Sequence, residues 1–135
     1  GSMIQTSLIE AGGGVNAVSG VEGVGGFVDV SIEQIIAWNP DVIWFPQYAD
    51  FTADDLLNDP AWSSISAIQN KRVYEFPSKL EPWDQPTAAL ALGIDWALHN
   101  LYPDLYTLEA LMKNVDEFYT IVYDKTFTAE QLGIE

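Results

Sequence analysis

Hydrophobic and polar positions divide the chain into short helical segments and two apolar strands. Residues 41–45 are almost continuously apolar, and residues 73–76 form a brief run rich in β-forming side chains. A strand that is apolar on both faces is typical of a parallel sheet covered by helices, and the intervening segment is long enough for a crossover. The pattern therefore predicts a βαβ unit. Alternation over residues 27–30 predicts a further, short edge strand.

Helix starts and stops are marked along the rest of the chain. Capping boxes predict helices that begin at Ser7, Ser31 and Thr128, and a helical turn is predicted after Thr52. The glycine-rich run 12–26 is expected to end the first helix and to act as a connector, since glycine costs about 1 kcal/mol against alanine inside a helix.

The strongest helical patterns lie in the second half of the chain. Pro86 is expected to lie near the first turn of a largely buried helix, because the positions that follow it up to Leu101 are too apolar for a narrow stripe. A second pattern over residues 108–123 repeats its apolar positions every three or four residues, which indicates an amphipathic helix.

These elements predict a small three-layer α/β sandwich with a mainly parallel sheet. A chain of 135 residues that is 48% hydrophobic can bury one core, so one domain over residues 3–135 is expected. Gly1 and Ser2 before Met3 are typical of an expression remnant, which leaves room for a native signal or a further domain ahead of this chain. Two firm strands are fewer than the roughly four to six of an ordinary sheet, which indicates that part of the sheet is missing.

Composition excludes several classes of function. Twenty acidic and five basic residues give a formal charge of −15, which disfavours nucleic acid and anionic membranes as partners. Because the chain has no cysteine, disulfides, thiolate metal sites and cysteine nucleophiles are excluded. No apolar run reaches the roughly 18 residues of a membrane span, and no signal-like segment opens the chain.

Several possible motifs are better explained as ordinary structure. Gly12–Ala17 matches the G-x-G-x-x-A dinucleotide pattern, but its glycines close a helix instead of following a strand. His99 is the only histidine, and Asp95 four residues earlier on the same helix face completes neither a metal site nor a catalytic triad. The acidic residues at positions 54, 55 and 59 lack EF-hand spacing and are typical of a solvated helix face.

The candidate binding residues lie in the two loops that leave the two strands. Because the carboxyl ends of parallel strands meet at one edge, these loops are expected to form one rim with two aromatic faces. The candidate ligand-binding residues are Gln47, Tyr48, Lys79, Glu81, Trp83, Asp84 and Gln85. Trp83 is the leading candidate for an anchor, with Tyr48 and Lys79 in support. Loop aromatics also cover their own core, so the residues alone leave a binding and a structural role both open.

The sequence resembles one family along nearly its whole length, and the order and spacing of the matching segments are specific. In chain order they are LIEAGG with VN, VSIEQI, WNPDVI, DPAW, NKRVY, WDQP, and LG followed by LYP. The resemblance is to the C-terminal lobe of the substrate-binding proteins of ABC importers for ferric siderophores, haem and cobalamin.

This resemblance implies two α/β lobes joined by one long helix, with the ligand, an iron or cobalt chelate, held in the cleft between them. This chain would be the C-terminal lobe without its first strand, and the rim would be one wall of the cleft. Many siderophore binders carry an arginine shortly after the proline that matches Pro86, whereas this chain has Thr87–Ala89. Lys79 could replace that charge, or the ligand could be neutral, with stacking on Trp83 dominant.

The resemblance also implies partners. An exposed acidic residue on each lobe docks on the permease, and Asp54, Asp55 and Asp59 are the candidates, because Ser63–Ser64 occupies the expected position. The expected partners are a permease, its ATPase and the missing N-terminal lobe, in a periplasmic or membrane-anchored extracellular setting, with self-association of the isolated lobe possible. No cofactor is expected. The alternative is an enzyme, a metal-dependent hydrolase or chelatase that uses Glu81, Asp84 and His99.

Overall fold

Helices dominate the computed structural model, which describes residues 3–18 and 29–134. The helices are α1 (Ile4–Ala11), α2 (Ile32–Trp38), α3 (Ala53–Asn58), α4 (Ser66–Gln69), α5 (Leu90–Leu101), α6 (Leu108–Tyr123) and α7 (Ala129–Leu132), a 3₁₀ turn covers Pro60–Trp62, and the strands are β1 (Ile43–Phe45) and β2 (Val73–Glu75). Within the described ranges, no helix is both long and apolar enough to cross a membrane.

The two strands form a parallel pair, as the sequence predicts. Ile43 pairs with Val73 and Phe45 with Glu75, and α3, the 3₁₀ turn and α4 form the crossover between the strands. Successive side chains of a strand point to opposite faces, so Ile43 and Val73 face one side while Trp44 faces the other. The predicted βαβ unit is confirmed.

A separate hydrophobic cluster covers each face of this sheet. One cluster joins Phe45 and Val73 to apolar side chains of α3 and α4, with α2 packed at its border. The other is larger and gathers α1, α5, α6 and α7 around Trp96, which is 1% exposed. Helices on both faces of the sheet confirm the expected layered α/β architecture.

The predicted helix caps hold at three positions. Ser31 Oγ accepts a hydrogen bond from the Gln34 amide at 3.3 Å, and Thr52 and Thr128 each form a complete capping box. Asn39 ends α2 in a left-handed conformation with φ of 45°, which asparagine tolerates better than most residues. Short polar side chains thus decide where these helices begin and end.

Three local predictions need correction. The first helix begins at Ile4, not at Ser7, because burial of Leu8 against α5 holds the earlier turn and Met3 is the N-cap. Pro86 lies in irregular turns, and α5 begins four residues later at Leu90. Of the predicted edge strand, residues 27–28 lie outside the described residues, and residues 29–30 are not in a strand.

Candidate ligand-binding site

A cavity of about 160 Å³ opens beside the carboxyl ends of both strands. It lies between the start of α1, the ends of β1 and β2, and the loops that follow them. Its lining residues are Met3, Gln5, Ile9, Trp44, Phe45, Pro46, Tyr48, Phe76 and Asp84. We call this cavity the strand-end cavity. Ligands of open α/β folds bind at this edge of the sheet, so it is the candidate site.

Asp84 is the one acidic residue among these lining side chains, and it is only 4% exposed. Its backbone carbonyl accepts a hydrogen bond from Gln5 Nε2 at 3.2 Å, which ties the loop to α1. Its carboxylate oxygens take part in no hydrogen bond or ion pair with the residues that the structure describes. This carboxylate is therefore available to a group that enters the cavity.

Two further polar atoms at the strand-end cavity have no partner in the described structure. Gln5 Oε1 and Trp44 Nε1 are both buried without a hydrogen bond, and both residues line the cavity. A buried polar group without a partner costs about 1–3 kcal/mol, so such groups in a native fold require a reason. A bound ligand or an ordered water at the cavity would supply one.

Trp83 does not present an exposed aromatic face at this rim, and that expectation is wrong. Its side chain is 1% exposed, and Nε1 donates a hydrogen bond to Tyr119 Oη at 3.1 Å. The loop folds back because the Trp83 amide donates to the Pro77 carbonyl at 3.1 Å, which turns the indole into the core. Trp83 is therefore a core residue of this lobe.

Tyr119 connects this loop to α6 from a fully buried position. Burial raises the pKa of Tyr119 to about 12, the bond from Trp83 acts in the opposite direction, and the nearby Glu81 carboxylate adds to the rise. Glu81 is half-buried, and its Oε1 has no hydrogen-bond partner among the residues that the structure describes. The predicted binding residue Glu81 thus faces the Tyr119 hydroxyl.

The loop after β1 carries an aromatic side chain that remains exposed. Tyr48 lines the strand-end cavity with 65% of its surface exposed, and Gln47 next to it is exposed. Gln85 is half-buried in the other loop, outside the cavity lining. Of the seven predicted binding residues, the structure brings Tyr48 and Asp84 together at this cavity.

Lys79 belongs to a different part of the surface. Its Nζ donates to the Glu130 carbonyl at 3.0 Å, and it lines a second cavity of about 310 Å³ with Asp54 and Gly133. The single rim expected to combine a lysine with both loop aromatics does not form. Within the described residues, Lys79 therefore supplies no positive charge to the strand-end cavity.

The three candidate docking carboxylates differ in their local roles. Asp55 accepts hydrogen bonds from the amide and hydroxyl of Thr52 at 2.8 and 2.7 Å, and these bonds lower the pKa of its carboxyl. Asp59 caps the 3₁₀ turn by accepting from the Ala61 amide at 2.9 Å. Asp54 is exposed, and the described bond at this residue uses its carbonyl instead of its carboxylate. Asp54 is thus the candidate whose carboxylate is not used as a cap.

The residues of the enzymatic alternative are dispersed over different partners. His99 Nδ1 donates to the Tyr106 carbonyl at 2.7 Å, and Asp95 accepts from Asn114 at 3.0 Å. Among the described residues, no group of three or more histidine, cysteine, aspartate or glutamate side chains could hold a metal ion. The single histidine is therefore satisfied as an ordinary helix residue.

Sequence reasoning missed two polar residues of the strand-end cavity. Trp44 lies within the apolar strand pattern, although its alternation with Phe45 indicates that the two side chains face opposite sides of the sheet. Gln5 reaches the cavity because α1 packs across α5. No local pattern marks that tertiary contact.

Comparison with known proteins gives a consistent family. A family model described as periplasmic binding protein matches residues 5–80. Over 121 residues the chain is 31% identical to the molybdate-binding protein MolA of Haemophilus influenzae, an alignment that covers 89% of this chain and 34% of the relative.

Solved structures agree with this match. A periplasmic solute-binding protein from Veillonella parvula superposes with a TM-score of 0.81 at 27% identity, covering 96% of this chain and 40% of that one. Helicobacter pylori CeuE in a nickel–histidine complex gives a TM-score of 0.72 at 26% identity, covering 94% of this chain and 40% of that one. The chain thus spans well under half of each relative. The resemblance noted from the sequence is confirmed at the level of the periplasmic binding protein family.

Proposed function

Because this chain belongs to the periplasmic binding protein family, we propose that its full-length protein is the substrate-binding component of an ABC importer. This chain is then the C-terminal lobe, and the strand-end cavity is part of its wall of the ligand cleft. The protein captures a small ligand outside the cytoplasmic membrane and delivers it to a permease. Membrane anchoring and the second lobe belong to this proposal as well.

The observation that carries the proposal is the fold match together with the position of the cavity. The layered arrangement around β1 and β2 superposes on solute-binding proteins over 96% of the chain. The strand-end cavity lies at the carboxyl ends of those strands, where α/β folds bind their ligands. Position in the fold and polar atoms without partners both favour ligand binding at this edge.

The proposed ligand is a metal complex. A ferric siderophore, haem or cobalamin is the class that the sequence resemblance favours. The names of the relatives widen this class, because MolA is described as binding molybdate and CeuE was solved with nickel–histidine. The cavity volume of about 160 Å³ is below the roughly 300–1,000 Å³ of a complete small-molecule site, so the second lobe would supply the remaining contacts.

Docking on the permease is proposed to use Asp54. Its carboxylate is exposed and is not engaged in capping, unlike the carboxylates of Asp55 and Asp59. We therefore expect Asp54→Asn in the full-length protein to weaken stimulation of the transporter ATPase without changing ligand affinity.

A non-catalytic role fits the family better than the hydrolase or chelatase alternative. MolA and the protein from Veillonella parvula are named as binding proteins. Glu81, Asp84 and His99 face different surroundings in the fold: the Tyr119 hydroxyl, the strand-end cavity and the Tyr106 carbonyl. The family is thus the main support for a binding role, and the separation of Glu81, Asp84 and His99 in the fold is a second argument.

The test is a ligand screen of the full-length protein combined with a transport assay. Isothermal titration against ferric siderophores, haem, corrinoids, molybdate and nickel–histidine identifies the class of ligand. The bound ligand should then stimulate ATP hydrolysis by the permease and ATPase reconstituted in liposomes. Binding without any stimulation, or hydrolysis of the ligand by the protein alone, would contradict the proposal. Light scattering of the isolated lobe tests self-association, and a clean monomer would exclude it.

A further inference from the structure

We propose that the strand-end cavity receives a positively charged group of the transported ligand, with the Asp84 carboxylate as its counter-ion. This inference rests on the proposed function, which it deepens by naming the charge of the ligand. It applies to an ammonium group or to the amine face of a cationic metal complex. It disfavours a bare oxyanion at this wall.

Asp84 places a carboxylate without a described protein partner on the wall of the cavity. The side chain is 96% removed from solvent, it lines the cavity, and within the described residues no hydrogen bond or ion pair engages its carboxylate. A carboxylate on a cavity wall that no described protein group pairs is available to a charged ligand, and hydrogen bonds to an ionised group are the strong kind. A cation that enters the cavity would pair with it.

The basic residues of the chain lie away from the strand-end cavity. The chain has five, and none of them lines the strand-end cavity. Arg72 donates to the carbonyls of Asn100 and Leu101 at the end of α5, and Lys79 donates to Glu130. An anion bound here would therefore meet a carboxylate and no positive side chain. With a formal charge of −15, the chain as a whole also attracts cations.

The remaining lining fits a cation with several N–H donors. Aromatic rings of Trp44, Phe76 and Tyr48 border the cavity, and ring faces attract cations. Gln5 Oε1 offers a second acceptor without a partner, whereas Trp44 Nε1 is a donor that an acceptor atom of the same ligand or a water would satisfy. The volume of about 160 Å³ suits one charged arm of a ligand.

The test compares two inert cobalt complexes of opposite charge on the full-length protein. Hexaamminecobalt(III) and tris(oxalato)cobaltate(III) share a metal and a coordination number, and neither releases free metal during a titration. We expect hexaamminecobalt(III) to bind at least tenfold more tightly at about 0.15 M salt, where interactions with exposed carboxylates are screened. Equal affinities, tighter binding of the oxalate complex, or no binding of the cation would overturn the inference.

Two variants separate this site from the general acidity of the chain. Asp84→Asn should weaken binding of hexaamminecobalt(III) at least tenfold, whereas Asp104→Asn, the same change at an exposed position, should leave it within twofold. Both variants keep the backbone carbonyl of residue 84 that Gln5 bonds, so the loop stays tied to α1. Equal effects of the two variants would show that only diffuse charge is involved and would overturn the inference.

A thermal melt without ligand gives an independent readout. Because no hydrogen bond or ion pair to the described residues engages the Asp84 carboxylate, Asp84→Asn should leave the Tm of the ligand-free protein unchanged or slightly higher, within about 2 °C. A lower Tm would mean that the carboxylate has a structural partner, which contradicts the inference. These measurements do not depend on transport. If the Asp84→Asn protein stimulates the transporter ATPase as well as the wild-type protein does, only the cation site is refuted. If no ligand stimulates the ATPase with either protein, only the proposed function is refuted.

Discussion

The two loops that leave the parallel strands place their aromatic side chains in opposite ways. After β1 the chain turns quickly toward α3, and Tyr48 stands 65% exposed at the strand-end cavity. After β2 the loop covers residues 76–89, and the side chain of Trp83 within this loop is only 1% exposed. Both loops lie at the same edge of the sheet. Their position therefore does not determine whether an aromatic residue faces a ligand or the core.

The difference follows from what each loop can pack against. The longer loop lies over α5 and α6, where Tyr119 offers a hydroxyl to the Trp83 N–H and Gly93 leaves room for the Trp83 backbone. Within the described residues, no hydrogen bond holds the Tyr48 hydroxyl against another element, and the ring remains mostly exposed. One loop is part of the core and exposes Asp84 to the cavity, whereas the other contributes an aromatic wall.

The largest loss of stability is expected when the buried indole of Trp83 is removed. We expect Trp83→Ala to lower the free energy of unfolding by about 3–5 kcal/mol, because it leaves a large cavity in the core. Urea denaturation of the 135-residue chain followed by circular dichroism measures the effect. The control is Trp38→Ala in α2, which has no fully buried residue and should lose less than half as much. Similar losses for both variants would contradict the structural role of Trp83.

The burial of the Trp83 side chain could not be predicted from the local sequence. Strands, crossover and most helix caps are encoded within a few neighbouring residues, and Thr52 with Asp55 shows this in a complete capping box. The burial of Trp83 depends on Tyr119, which is 36 positions away along the chain. Polar and aromatic residues in a Pro-rich loop favour a surface location until that partner is known.

The residues of the strand-end cavity also differ in how far they could be predicted from the sequence. The sequence places Tyr48 and Asp84 at one rim because loops after parallel strands converge, and both residues line the cavity. Gln5 was missed because it reaches the site only through the packing of α1 on α5. The start of α1 was also misplaced, because Ser7 and Glu10 match a capping box while packing of Leu8 extends the helix to Ile4.

A second variant tests how closely the long loop approaches α5. A Cβ added at Gly93 would collide with the Trp83 carbonyl oxygen and lie 3.1 Å from its carbonyl carbon. Gly→Ala inside a helix normally stabilises by roughly 0.5–1 kcal/mol, but here we expect Gly93→Ala to destabilise by about 3 kcal/mol. The same denaturation assay applies.

Ala91→Gly on the exposed side of α5 is the matched control for this variant. It should lose about 1 kcal/mol through helix propensity alone. If Gly93→Ala proved stabilising, the loop would have room to move away, and the close packing that hides Trp83 would not be needed.

The hydrogen bond between the loop and α6 is a smaller contribution. Tyr119→Phe keeps the ring but leaves the Trp83 N–H without its acceptor, so we expect a loss of about 1 kcal/mol or slightly more near neutral pH. The matched control is Tyr123→Phe, which is half exposed and should be almost neutral. Equal effects of the two variants would mean that the buried bond adds no stability.

Alkaline pH sharpens the same test. An unfolded tyrosine titrates near pH 10, whereas the pKa of Tyr119 is raised to about 12, so the folded state keeps its proton longer than the unfolded state. This contribution is present below pH 10 and is lost as the pH rises toward 12. Melting curves over this range should fall more steeply for the wild-type chain than for Tyr119→Phe. Parallel curves would contradict the buried position of the hydroxyl.

The smallest effect on stability is expected at the other loop. Tyr48→Ala removes an aromatic ring that is 65% exposed, so the free energy of unfolding should change by less than about 0.5 kcal/mol in urea denaturation. Tyr119→Ala, the same substitution at a buried ring, should cost several times more. A loss above about 1 kcal/mol for Tyr48→Ala would mean that this ring also stabilises its own lobe. The two loops would then differ only in degree, and the exposed ring would no longer be evidence of a surface kept for a ligand.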